Sequence, residues 1–282
     1  MKPLLALMVA VAVTAAVGSE VWSGRDVSVP GGDAPTEVVA AGIAAASVAD
    51  RPGAFDTPPQ DQPPYDGRVT FVRIEFSGGG GGRGFRGFGQ GPPWSHDWPR
   101  ADRNFSSILG ELTSIDTDAQ NHIVLRMDDP EVFKYPLIYA VEVGYWNPSR
   151  AEIDALSAYL QKGGFLIVDD FQGQQIYQLQ AILAEALPGA VIDEVPDDHA
   201  IFDSFYFIED PHSLIPPYGG SRPLYLGVFE DNDPSKRLMA IFNYNNDIAE
   251  YWEYSDRGFY PVDLSNEAYQ FGVNYLMYAL TR

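Results

Sequence analysis

Apolar positions recur with two different periods from residue 68 onward. In residues 69–76, Val69, Phe71, Val72, Ile74 and Phe76 form a strand-like run that ends at a string of glycines. Phe105, Ile108, Leu109 and Leu112 then fall at i, i+3, i+4 and i+7, which is one face of a helix. Residues 122–127 and 137–143 read as short apolar strands. Ser149 and Glu152 have the spacing of a capping box behind Pro148, and Ile153, Leu156 and Leu160 carry that helical face on to Gly163-Gly164. Residues 165–168 are a wholly apolar strand, and 174–187 a helix with Ile176, Leu179, Leu183 and Ala186 inward. Residues 224–229 and 238–243 read as strands. A last helix, starting at Ser265, gathers Ala268, Phe271, Gly272, Tyr275, Leu276 and Ala279 on one side. Short apolar strands alternating with helices predict an α/β domain, an open, mostly parallel, doubly wound sheet covered on both faces.

The first 66 residues have another texture. Lys2, an apolar run and the small residues Ala15, Ala16 and Gly18 make residues 1–18 a signal peptide or N-terminal anchor. The run is shorter than the roughly 20 residues a membrane-spanning helix needs. Residues 19–66 are rich in Ala, Pro, Gly and acids, with seven prolines from Pro30 to Pro64. Such a segment buries too little apolar area to offset its ordering entropy, so it reads as a disordered tether. Residues 67–282 remain as a single domain with a Gly/Arg-rich loop at 77–91. The expected location is outside the cytoplasm, periplasmic or envelope-associated, with membrane association through the N-terminus as an option.

Composition narrows the chemistry. The 282-residue chain has 39 acidic against 18 basic residues, a net charge of −21, and so repels nucleic-acid backbones. It contains no cysteine, which excludes disulfides, thiolate metal sites and cysteine nucleophiles. No Gly-x-Ser-x-Gly elbow supports a serine triad.

Ligands of open α/β sheets bind beyond the carboxyl ends of the strands, so strand-end polar residues are the candidates. Asp169-Asp170 follow the apolar run 165–168 and offer hard oxygen ligands to Mg²⁺ or Ca²⁺. Since neighbours on a strand point to opposite faces, one of the two would face a given site; the competing reading makes Asp170 a helix N-terminal acid. Asn246 and Asp247 leave the 238–243 strand and can meet Asp170 across the sheet top. Asp128-Asp129-Pro130 reads more readily as a turn. Asp97 and Arg100 stand in the Trp/His/Asp-rich stretch 94–102 after the glycine loop, itself either a lid carrying Arg83 and Arg86 or a solvated insertion. His199 lies between an apolar strand and Phe202. The ranked candidates are Asp170, Asp247, Asp97, His199 and Arg100, followed by Asp169 and Asn246, with Asp170 and Asp247 as metal ligands. No cofactor is established by these residues; a divalent cation is the one they would hold.

Several of these segments occur in a recurring order: the Gly/Arg loop before 94–102, Glu111-Leu-Thr113, Asp129-Pro130, Tyr135-Pro-Leu-Ile-Tyr139, Gly163-Gly-Phe-Leu-Ile-Val-Asp-Asp170, His199-Ala-Ile-Phe202 and Asn246-Asp247. In this order, over residues 68–282, the chain resembles the bacterial domain-of-unknown-function family 4159. The resemblance implies a flavodoxin-like, class I glutamine-amidotransferase-like fold and an envelope-associated assembly. Amidotransferases use a cysteine at a strand-to-helix elbow, and this chain has none, so glutamine hydrolysis by that route is excluded. Two functions follow as expectations. One is a non-catalytic module that binds an envelope protein partner or a small ligand. The other is a metal-assisted hydrolase or sugar-modifying enzyme built on strand-end carboxylates.

Overall fold

The computed structural model describes residues 64–77, 91–118 and 122–282. The signal or anchor segment 1–18, nearly all of the 19–66 tether, and most of the 77–91 loop with Arg83 and Arg86 lie outside the described residues. Among the described residues, no helix is long and apolar enough to cross a membrane.

Seven strands form one sheet: β1 (Val72–Glu75), β2 (Ile123–Arg126), β3 (Leu137–Val141), β4 (Phe165–Phe171), β5 (Asp193–Glu194), β6 (Leu224–Phe229) and β7 (Leu238–Tyr244). Their order across the sheet is β2-β1-β3-β4-β7-β6-β5. The first five are parallel; β6 runs antiparallel to both β7 and β5. The parallel part has the doubly wound 2-1-3-4-5 order of flavodoxin-like folds, whose switch point lies between β1 and β3.

Strand alternation sorts the side chains into two cores. Ile138, Ala140, Leu166 and Val168 face α2 (Arg150–Gln161) and α3 (Gln175–Ala186). Leu137, Tyr139, Phe165 and Ile167 face α1 (Arg100–Leu112), the short α4 (Ile248–Glu253) and α5 (Val262–Thr281). The Ser149–Glu152 capping box forms as the spacing indicates, with Ser149 N–H donating to Glu152 at 2.8 Å and Glu152 N–H to Ser149 Oγ at 3.3 Å. At Gly272 the helices approach so closely that a Cβ would meet Phe105 at 2.4 Å and Trp252 at 2.6 Å. That absence of a side chain lets α5 press on α1 and α4, which carry part of the site. Two boundaries differ from the sequence reading. The last helix begins at Val262, a turn before Ser265, and β4 continues through Asp169-Asp170 to Phe171.

Candidate functional site

The polar residues that converge come from the carboxyl ends of β1, β3, β4 and β7. Arg73, within β1, orders the chain that returns after it. Fully buried, it pairs with Asp102 of α1 at 2.5 Å and donates to the carbonyls of Trp94 and His96 at 3.3 and 2.9 Å. This grip seats His96 and Asp97 over the sheet edge, with Asp97 in the left-handed region at φ 61°. After β3, Glu142 is also left-handed, at φ 51°, and accepts from Gln175 of α3 at 2.8 Å.

β4 explains the division of labour between its two carboxylates. The register against β7 shifts between Val168 and Phe171, and Asp170 takes φ 50°. Such bulges re-aim side chains. Asp169 stays on the α4/α5 side, fully buried, and is consumed by structure. It accepts from Tyr139 Oη at 2.7 Å, Asn243 Nδ2 at 3.0 Å, and the backbone N–H groups of Ile248 and Ala249, each at 3.0 Å. The helix-capping role considered for Asp170 therefore belongs to Asp169, and the helix is α4 rather than the following α3. Asp170 instead meets His96 Nδ1 at 2.6 Å.

After β7, Asn246 Oδ1 accepts from Asp247 N–H at 3.0 Å, and its amide lies 3.4 Å from Tyr225 Oη, so Asn246 shapes the turn. Asp247 caps α4 through Glu250 N–H at 3.0 Å, while its second oxygen has no hydrogen-bond partner. Asp97 is more extreme: both carboxylate oxygens are buried and without a hydrogen-bond partner, with His96 Nδ1 3.6 Å away. Among the described residues, two sets of potential cation ligands arise here and share one imidazole. They are His96, Asp170 and Asp247, and His96, Asp97 and Glu250, with the ligand atoms of each within 4.8 Å of one another.

Electrostatics follow from this crowding. Burial pushes Asp97 well above the usual carboxylate range, with Glu250, Glu253 and Asp170 adding to the push against the pull of His96. Burial, then Asp170 and Asp97, raises Asp247 in the same way. Glu142 rises to about 7 through burial and the neighbouring Asp170. For His96, burial works downward, but Asp97 and Asp170 outweigh it and carry the imidazole up to about 11. Asp169, despite its donors, is lifted by burial to about 6.

The remaining candidates lie apart or at the rim. Arg100 pairs with Asp256 at 2.7 Å and stands over the Tyr254 ring. His199 accepts from Ile201 N–H at 3.2 Å and packs on Phe229 and Tyr278. Tyr278 in turn holds Leu238 N–H, at the amino end of β7, so His199 belongs to the opposite end of the sheet from the carboxylates. Asp129 accepts from Glu131 N–H at 2.9 Å, the expected Asp-Pro turn.

A family model described as a domain of unknown function, DUF4159, matches residues 83–280. The chain belongs to the DUF4159 family. No curated protein matches the chain. In this DUF4159 domain Glu142, just after β3, and Asp170, near the end of β4, both take left-handed backbone conformations and both carry carboxylates. His96, Glu142 and Glu250 were not among the sequence candidates. His96 adjoins a candidate, Asp97; Glu142 was hidden inside an overlong strand; Glu250 lies on a six-residue helix that no periodicity announces.

Proposed function

We propose that the DUF4159 domain holds a divalent cation at the carboxyl edge of its sheet and uses it to bind a ligand there. The observation that carries this reading is the set of buried carboxylate oxygens that have no hydrogen-bond partner among the described residues, on Asp97 and Asp247, each grouped with the same imidazole. A buried carboxyl that no hydrogen bond satisfies is costly, and a cation is the partner that suits carboxylates gathered this closely. Oxygen donors with a single imidazole nitrogen suit Mg²⁺, Ca²⁺ and Mn²⁺, and tolerate Zn²⁺. His96 and Asp170, with side chains 19 and 16% exposed, form the entrance, while Asp97 lies beneath. A bound cation would supply Lewis-acid activation to whatever ligand reaches that entrance.

Metal-assisted hydrolysis is the second reading. Asp97, Glu142 and Asp170 all hold left-handed backbone conformations at the centre, and strain of this kind concentrates where function requires it. The apolar N-terminal run supports export, so the ligand is sought outside the cytoplasm.

The deciding experiment is thermal unfolding of the full chain after chelation and then with Mg²⁺, Ca²⁺, Mn²⁺ and Zn²⁺ in turn. A cation at 100 times its dissociation constant should add about 2.7 kcal/mol of stability. Asp97→Asn and His96→Gln should each remove that gain. Absence of any gain across the four cations would refute the cation reading.

A further inference from the structure

Around the carboxylates stands a wall of aromatic rings. Tyr218, 47% exposed, lies beside Asp247, Glu250 and Asp97 and is hydrogen-bonded to Glu250. Tyr260 donates to Glu250 Oε1 at 2.8 Å. Tyr254 sits next to Glu253, with Phe259 and Tyr260 against it at ring-centroid distances of 5.2 and 6.3 Å, and Phe259 is 50% exposed. Tyr145 neighbours Glu142 and Asp170. Tyr260 is itself packed between Tyr251, Tyr254 and Phe259, so the apolar ring surface left for a ligand is that of Tyr218 and Phe259. Exposed aromatic surface grouped about a few convergent polar side chains is the make-up of a small-molecule site.

We infer that the ligand of this centre is a neutral, polyhydroxylated molecule, a carbohydrate, stacked on the exposed rings of Tyr218 and Phe259 while its hydroxyls reach the cation; this rests on the cation reading above. Charge argues for neutrality. Asp97, Asp170, Asp247, Glu250, Glu253 and Glu142 surround His96, whereas Arg73 and Arg100 are committed to Asp102 and Asp256. A phosphate or carboxylate ligand would meet this field as repulsion. Burial argues against an organic cation. The Asp97 side chain is 1% exposed, out of reach of an alkylammonium head and accessible to a bare ion. Three protein ligands per set also leave a hard cation with positions for hydroxyl oxygens.

The test is calorimetric titration of the full chain, at saturating Ca²⁺ or Mn²⁺ and again after chelation, with cellotriose, maltotriose and chitotriose. Choline and inorganic phosphate serve as charged comparators. The expected result is binding of a trisaccharide that chelation abolishes. Tyr218→Ala at saturating cation should weaken it about fivefold to tenfold, the worth of one aromatic contact. Tyr218→Trp should retain it, and Phe259→Ala, at the exposed ring packed 4.9 Å from Tyr260, supplies an independent second loss if Tyr218→Ala does not fold. Cation binding without any trisaccharide binding would overturn this inference and leave the cation site standing. Choline or phosphate binding in place of sugar would overturn it equally. Sugar binding that survives chelation would overturn the cation-linked form. Failure of every cation to bind would instead strike the proposed function itself.

Discussion

Asp169 and Asp97 are both buried carboxylates at the top of one sheet, yet their surroundings are opposites. Asp169 is saturated by a tyrosine hydroxyl, an asparagine amide and the first N–H groups of α4. Asp97 has a histidine at 3.6 Å and no hydrogen bond. Burial therefore does not separate a structural carboxylate from a functional one; completeness of its donors does. The first kind holds the fold, and the second has no hydrogen-bond partner among the described residues.

Breaking the saturated kind should give the largest effects. Arg73→Met leaves Asp102 charged, buried and alone, and also frees the carbonyls of Trp94 and His96, so a loss of about 3–5 kcal/mol is expected. Chemical denaturation measures it directly. Asp169→Ala strands four donors, two of them the first N–H groups of α4 and the others on Tyr139 and Asn243; about 3 kcal/mol is expected, given about 1–3 for each buried group left unpaired and incomplete additivity. At about 2–4 °C per kcal/mol in a domain of this size, either variant should melt well below wild type. An Asp169→Ala chain as stable as wild type would end the contrast drawn here.

Asp97→Asn tests the other side of the comparison. In chelated protein it should cost under about 1 kcal/mol or stabilise, because no hydrogen bond is lost and burial already pushes the carboxyl toward its neutral form. With saturating cation the same variant should fall behind wild type by the whole of the ligand-linked gain, about 2.7 kcal/mol at 100 times the dissociation constant. Equal deficits with and without cation would place Asp97 among the structural carboxylates.

The architecture was legible because periodicity reports burial, and the sheet buries its strands on both faces. The capping box at Ser149 and the apolar run ending at Asp169 came directly from residue types. The site was legible only in part. The strand-end rule led to Asp170 and Asp247, but a bulge at β4 decides which of two adjacent aspartates faces His96, and bulges leave no mark in hydrophobic period. Glu142 was lost because an apolar run continued past it to Val143. The left-handed position that ends β3 is Glu142 itself, and the glycine of that turn, Gly144, comes only two residues later. His199 looked like a site residue by type and neighbours, while its position at the amino end of β7 is a matter of topology alone.

A gentler probe of the same comparison is pH. Glu142 and Asp169 have folded pKa values of about 7 and about 6, above their ordinary values of 4.5 and 3.8, and Asp97 and Asp247 are raised as well. A raised folded value means the native state binds protons that the unfolded chain has released. Their contribution is complete below about pH 4 and declines as pH rises through 6 and 7. His96 acts in the same direction, complete below 6.5 and lost on the way to about 11. The melting temperature of chelated protein should therefore fall between pH 5 and pH 8. Because a cation takes the place of those protons, its stabilising effect should be greater at pH 8 than at pH 5. His199 supplies the smallest and opposite term. Burial lowers its pKa, so its contribution is full above 6.5 and is lost as pH falls through the folded value. His199→Gln should then steepen the decline with pH slightly while leaving the cation response intact. A histidine at the far end of the sheet that altered cation binding would show that the two ends are coupled, and the division between them would have to be redrawn.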